Sequence, residues 1–371
     1  MLYLHIPFCT QRCIYCDFYS TIYNAPIATA YADALCAEMQ ARKSAISLPL
    51  QSIYIGGGTP STLSAETLAH IINTIRATFS IAPNAEFTIE MNPDDVTPAF
   101  VDLLIGLGVN RVSLGTQTFS DPLLKLLNRR HDARQAIEAV HLIHRRGITN
   151  ISIDLIYGLP NQTLNDWQYD VRQAIALPIT HLSAYNLMFE SGTRLSQMKH
   201  QGIVSEAADE LIEQMYLHLC QALRQAGFRH YEISNFAKPN FESRHNSGYW
   251  NATPYLGIGA GAHSFDGVNR SFNRPDVKQY IAHNGHPPCE TEQLAPHERI
   301  NEYIFTRLRT AEGINLHHLQ QTYGHAHAQR ILVQAQKYIN QGHMRNQHNH
   351  LFITENAILI SDNIMSEFMI V

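Results

Sequence analysis

Along the first half of the chain the apolar positions switch repeatedly between two spacings. Short apolar or alternating runs at 2–6, 52–55, 87–89, 111–114, 151–153 and 181–185 have the length and period of strands. The stretches 28–45, 68–79, 98–107, 133–146 and 167–177 repeat their apolar residues at helical spacing, and Gly108 stops one of them. A shorter helical piece lies at about 122–127. Strand and helix alternate strictly through six units, which predicts a parallel α/β architecture. Six units rather than eight predict an incomplete (β/α)6 TIM-like barrel, open on one side. The polar and glycine-rich pieces all fall just after strands, the end of such a barrel that carries active sites. Cys9, Cys13, Cys16, Gly57, Glu90, Gln117 and Asp154 should therefore converge on one rim, although they lie far apart in the chain.

The pattern changes in the second half. His245-Asn246-Ser247-Gly248-Tyr249-Trp250 offers an imidazole and two aromatic faces close together. A core cluster with a backbone-bonded histidine would have the same composition. Residues 256–263 contain GxGxG, but strand and turn follow at 264–273 instead of a helix, so it is not a dinucleotide fingerprint. A proline-rich change of texture at 287–296 opens a second domain. Helices are expected at 298–309, 316–322 and 327–341. A hairpin of 351–354 and 358–360 should turn at Glu355-Asn356, with 364–369 closing the chain. Helices followed by a hairpin describe a smaller C-terminal α+β, winged-helix-like domain. The expected division is a core over 1–235, a connecting segment over 236–290 and the C-terminal domain over 291–371.

Composition narrows the partners. The net charge of -5, with a pI near 6.5, and the lack of a basic stripe argue against nucleic acid as a ligand. No apolar run is long enough for a transmembrane segment, and the N-terminus shows neither a basic n-region nor a signal h-region. Six cysteines without a signal suggest a reducing, cytoplasmic setting in which thiols serve metals rather than disulfides.

Three of those cysteines, Cys9, Cys13 and Cys16, fall within eight residues with the spacing C-x3-C-x2-C, in a loop leaving the first strand. Three thiolates on one short loop can reach three corners of an iron–sulfur cube and leave one iron open. A structural zinc site is the alternative, but it usually shows a second Cys or His pair, and Cys36, Cys220 and Cys289 are scattered singly. Gly56-Gly57-Gly58 permits close backbone approach to a ligand, or is simply a tight turn. Glu90 could pair with an ammonium, Asp154 could accept from a hydroxyl, and Arg129 could pair with a carboxylate.

The order YxHIPFCxxxCxYC, GGGTPS, IExNP, SLGxQ, NRRH and DLIYGLP resembles the radical S-adenosylmethionine (SAM) enzymes, and within them the coproporphyrinogen-III-oxidase-like family. The resemblance runs through nearly the whole chain. It implies that Cys9, Cys13 and Cys16 hold a [4Fe-4S] cluster whose open iron takes the amino and carboxylate groups of SAM. By match of motif it implies that Tyr3, Gly57 and Glu90 hold that SAM. Tyr15, Gly58, Thr59, Gln117, Arg129 and Asp154 resemble the positions that line a second, adjacent molecule in the oxidase. Phe18 stands where the oxidase has a further cysteine, and the oxidase's long N-terminal extension has no counterpart before Tyr3. Cys16-Asp17-Phe18 and HNxxYW are instead similar to the haem-chaperone branch. That branch implies haem as ligand with His245 as a binding residue, haem-accepting apoproteins, some of them membrane-associated, as partners, and an electron donor of the flavodoxin or ferredoxin kind. Two alternatives stay open: an oxygen-independent coproporphyrinogen III oxidase, or another radical SAM enzyme of porphyrin metabolism.

Overall fold

A computed structural model describes residues 1–370 of the chain. Its main sheet is built from β1 (Leu2–Ile6), β2 (Leu50–Gly57), β3 (Ile81–Met91), β4 (Arg111–Gln117), β5 (Asn150–Tyr157) and β6 (His181–Asn186), all parallel. Three short strands extend it: β7 (Arg229–Glu232), β8 (Asn235–Ala237) and β9 (Leu256–Ile258). The order is β9-β1-β2-β3-β4-β5-β6-β8-β7, and the two edge strands do not pair, so the barrel stays open. The segment 236–290 is woven into this sheet. β8 runs antiparallel to β6 at one end, and β9 runs parallel to β1 at the other.

The helices α1 (Ala25–Ala41), α2 (Ala65–Thr78), α3 (Pro98–Gly106), α4 (Ala133–Arg146), α5 (Leu164–Ala176) and α6 (Asp209–Gln225) cover the outside. Their ends obey local chemistry. Asp132 and Gln135 form a capping box at the start of α4, and Gly147 ends it at φ 110°, a left-handed conformation that suits a residue without Cβ. Thr163 and Asp166 cap α5 in the same way. The strands are apolar on the helix-facing side, and one core runs from Leu2 through Ile55, Ile89, Val112 and Ile153 to Leu182. Burying each such side chain contributes about 1.5–3 kcal/mol.

A second sheet joins β10 (His263–Phe265), β11 (Asn269–Asn273) and β12 (Cys289–Gln293), after the short helix α7 (Arg244–Trp250). The C-terminal unit contains α8 (Pro296–Leu308), β13 (Ile314–Asn315), α9 (Leu316–Tyr323), α10 (His325–Asn340), β14 (Met344–Gln347), β15 (His350–Ile353) and α11 (Ser361–Phe368) around its own apolar core. Its hairpin turns at His348-Asn349, both with positive φ (50° and 64°), as a two-residue hairpin requires. The turn expected at Glu355-Asn356 is wrong: residues 355–360 form a 3-10 helix into α11, with Leu359 and Ile360 exposed. Three successive apolar residues do not by themselves separate a strand from a short helical turn.

Candidate functional site

The cysteine loop leaves β1 and is stitched at its base, where Phe8 and Cys9 pair in parallel with Thr21 and Ile22. Ile14 is fixed at both ends of its peptide unit, its N–H donating to Leu127 O at 3.3 Å and its O accepting from Leu195 N at 2.8 Å. Thr59 Oγ1 donates to Cys9 Sγ at 3.5 Å, and Arg129 Nη1 to Cys13 Sγ at 3.2 Å. Burial raises the Cys9 thiol and pushes Cys16 up to about 11, so these thiols would ionise fully only when metal replaces the proton. Among the described residues no three Cys, His, Asp or Glu side chains gather closely enough for one shared metal ion. Three thiols on one rim loop are a donor set that fits three corners of an iron–sulfur cube.

Strand register gathers the rest of the rim. His5 lies opposite Gly56, Ile55 opposite Ile89, Glu90 opposite Ser113, and Asp154 opposite Ser183. Gly57 has φ 115°, and a Cβ there would strike the His5 ring; a Cβ on Gly58 would strike the backbone of residues 6–8. The glycines therefore let the β2 turn lie directly against the cysteine loop. Glu90 accepts from Tyr54 Oη at 2.6 Å and from Gly57 N–H at 3.0 Å, and is in no ion pair among the described residues. It keeps a narrow opening at the rim but is desolvated enough to raise its pKa to about 7, with Asp154 adding repulsion. Arg111, 1% exposed inside the barrel, offsets this only weakly. Burial likewise raises Asp154, which faces Ser113 and Ser183. Two desolvated carboxylates on one rim, neither in an ion pair among the described residues, fit a cationic ligand.

Arg129 ties three strand ends together: Nη2 donates to Asn92 Oδ1 at 2.7 Å and to Gly115 O at 2.6 Å, while Nη1 reaches Cys13. Gln117 holds a left-handed φ of 68°, uncommon for a residue with a side chain and typical of positions held under constraint at a rim. Burial raises the Tyr3 and Tyr15 hydroxyls well above the ordinary tyrosine value, so both stay neutral. All the rim residues expected from sequence lie at this end of the sheet. Tyr54 and Arg111 were not expected, and their only signal was placement on strands whose neighbours carry the site.

His245 behaves differently from the expectation. It is 1% exposed, with Nδ1 bonded to Ser52 Oγ at 3.0 Å and Nε2 to Tyr249 Oη at 2.9 Å. Its ring lies 5.1 Å from that of Tyr54, and burial lowers its pKa to about 3. The Glu86 carboxylate accepts from the N–H groups of Arg244 and His245 at 2.9 and 3.1 Å, which anchors the start of α7. Both imidazole nitrogens are thus engaged by protein, whereas Tyr249 and Trp250 of the same helix line a cavity of about 1360 Å³. That cavity runs from Phe18 and Tyr19 of the cysteine loop, past the second sheet, to α8 and α9 of the C-terminal unit. It is larger than the roughly 300–1,000 Å³ usual for small-molecule pockets. Among the described residues no helix is long and apolar enough to cross a membrane.

The chain is similar to known proteins in sequence and in fold. Residues 3–174 match the model of the Radical SAM superfamily, and residues 294–360 that of the HemN C-terminal domain. The protein named Heme chaperone HemW of Lactococcus lactis is 33% identical over 369 residues, covering 99% of this chain and 97% of that one. Its namesake in Bacillus subtilis is 33% identical over 372 residues, covering 99% and 98%. The solved coproporphyrinogen III oxidase (HemN) of Escherichia coli superposes with a TM-score of 0.86 at 23% identity, covering 99% of this chain and 89% of that one. At that identity the likeness is one of fold.

Proposed function

This chain belongs to the family of the heme chaperone HemW, with a radical SAM domain, and from that premise we propose that it binds haem and hands it to haem-accepting apoproteins. The observation that carries the reading is the cavity: an aromatic-walled space of about 1360 Å³ bordered by the cysteine loop, by Tyr249 and Trp250 of the HNxxYW helix and by the C-terminal unit. A flat macrocycle needs apolar faces, and the edge-to-face pair of Tyr249 and Tyr255, 4.7 Å between centroids, belongs to such a wall. The acceptors we propose include membrane-associated haem proteins, served from the cytoplasm.

The rim supports the companion groups. Cys9, Cys13 and Cys16 would hold a [4Fe-4S] cluster, which with SAM supplies one-electron chemistry when bound and reduced by a flavodoxin- or ferredoxin-like donor. Glu90 would pair with the ammonium of SAM, the Gly56–Thr59 turn would approach it through bare backbone, and Tyr3 would close the side toward β9. Arg129 would hold the loop ends in place around a bound carboxylate. Tyr15, Gly58, Thr59, Gln117, Asp154 and Arg129 would border a second SAM-sized space. Phe18 is 65% exposed at the mouth of the cavity, where the oxidase pattern has a cysteine, and this favours a carrier over a decarboxylase.

The test is a parallel anaerobic reconstitution. The full chain is expected to take up haem with a Soret band and to leave coproporphyrinogen III unconverted. Stoichiometric formation of protoporphyrinogen would overturn the carrier reading.

A further inference from the structure

Four imidazoles line the large cavity: His5, His263, His318 and His350. Two of them have both ring nitrogens engaged, and a third has one. His5 spends Nδ1 on Tyr3 Oη at 2.9 Å and Nε2 on Tyr19 O at 3.0 Å. His350 spends Nδ1 on Glu312 O at 3.0 Å and Nε2 on Asn315 Nδ2 at 3.3 Å. His318 has Nε2 at 3.5 Å from Thr322 Oγ1 and its ring against Tyr303. His263 opens β10, its ring stacked on Phe272 with 5.3 Å between centroids, and neither of its nitrogens meets a hydrogen-bond partner among the described residues. Outside the cavity, His245 is closed off by Ser52 and Tyr249.

The charges in the cavity are also uneven. Glu302 is paired with Arg270, and Glu312 with Arg307. Arg299, on the exposed side of α8, belongs to no ion pair among the described residues. Asp17 lies at the other end, on the cysteine loop. An anionic ligand would therefore turn its carboxylates toward α8 and away from the loop.

We propose that His263 is the protein ligand to the iron of bound haem, and that Arg299 receives a propionate. This rests on the haem reading above and assigns its site. A neutral imidazole with a free nitrogen is a common iron ligand. A single ligand on an exposed strand end would also suit a carrier, which must let its cargo go.

The experiment is a haemin titration of the full chain followed by absorption and electron paramagnetic resonance spectra. The parent is expected to show a histidine-ligated signature. His263→Ala should lose that signature and bind roughly tenfold or more weakly, and added imidazole should restore the spectrum. His245→Ala should keep the axial signature. Arg299→Glu should weaken haemin but not its dimethyl ester. If the parent gives no Soret band, the haem reading itself fails. If the parent binds but His263→Ala matches it in band position and affinity, only the ligand assignment fails. That assignment fails equally if His318→Ala or His245→Ala, and not His263→Ala, removes the signature.

Discussion

Two buried carboxylates show how differently the same group can be used. Glu38 on α1 is fully buried and accepts four hydrogen bonds: Arg42 Nη1 at 2.9 Å, Asn273 Nδ2 at 2.8 Å, Gly259 N–H at 2.9 Å and Tyr280 Oη at 2.5 Å. One donor is a cation, and the other three clamp the chain after β9 onto α1. Glu90, on the rim, accepts from two neutral donors and has no cation in hydrogen-bonding reach among the described residues. The first carboxylate has its charge balanced by its own chain and holds the fold. The second has its charge left over, on the rim of the parallel sheet that also carries the cysteine loop, and awaits a partner. Burial alone marks neither a site nor a strut; the balance of charge around the group does.

The largest expected effect tests the neighbourhood that gives Glu90 its meaning. Replacing Cys9, Cys13 or Cys16 by Ala should abolish or badly weaken the cluster absorption and iron content after anaerobic reconstitution, while Ala at Cys36, Cys220 or Cys289 should change neither. Cys36 and Cys220 are buried in the main core and Cys289 is exposed on β12, all away from the rim loop. The reverse pattern would remove the loop from the site, and with it the contrast between the two carboxylates.

Next comes the strut. Glu38→Ala leaves Tyr280 Oη and Gly259 N–H without their acceptor and Arg42 without its counter-charge, while Arg42 and Asn273 keep the carbonyls of Gly257 and Gly259, and breaking a buried charge pair costs about 3–5 kcal/mol. The Arg42 side chain is 27% exposed and can turn partly to water, so the lower end of that range is expected. Denaturant unfolding would measure it. Molecules that remain folded should still bind SAM, and loss of SAM affinity out of proportion to stability would mean that Glu38 is not merely structural.

Much of this contrast is legible in the chain itself. Strict alternation of periods determines the six parallel strands and the open barrel, because period is a local property. Cys9, Gly57, Glu90 and Asp154 could be placed on one rim because each follows a strand, and parallel strands all end on the same side. Glu38 was invisible. Nothing local marks it off from Asp33 of the same helix, which is exposed, and its partners Gly259, Asn273 and Tyr280 are more than two hundred residues away. The surroundings of His245 were hidden for the same kind of reason. The motif shows an imidazole beside two aromatics but not that Ser52 and Tyr249 occupy both of its nitrogens. Likewise β8 and β9 are too short to announce that the segment between the domains would finish both edges of the sheet.

Glu90→Gln should invert the behaviour of Glu38→Ala. The amide keeps the shape, and its carbonyl oxygen can accept from Gly57 N–H while its NH2 group turns to Tyr54 Oη, whose hydroxyl must then accept; the change removes a charge that the folded chain holds at a disadvantage near neutral pH. Stability should be unchanged or slightly raised. SAM affinity should fall tenfold or more, within the roughly 2–5 kcal/mol lost when a buried charge partner is removed. Equal affinity of the two proteins in calorimetry would take Glu90 out of the binding site.

The smallest effect is the pH dependence of that same difference. Glu90 ionises near 7 in the folded chain, against an ordinary value of 4.5. Its folded pKa is raised, so between those two values the folded chain holds a proton that the unfolded chain has lost. Stability contributed by this group therefore declines as pH rises through that window and levels off above about 7. A cationic ligand has the opposite preference, since it needs the carboxylate. Ionised Glu90 rises from about one part in ten at pH 6 to about one half at pH 7, so its advantage over Gln should grow about fivefold across that unit. The ligand's own titration affects parent and Glu90→Gln alike, so the ratio of their affinities isolates the carboxylate. Calorimetry at the two pH values decides the matter. A ratio that does not change would mean that Glu90 already carries its charge at pH 6, and that the rim supplies a counter-ion after all, as the surroundings of Glu38 do.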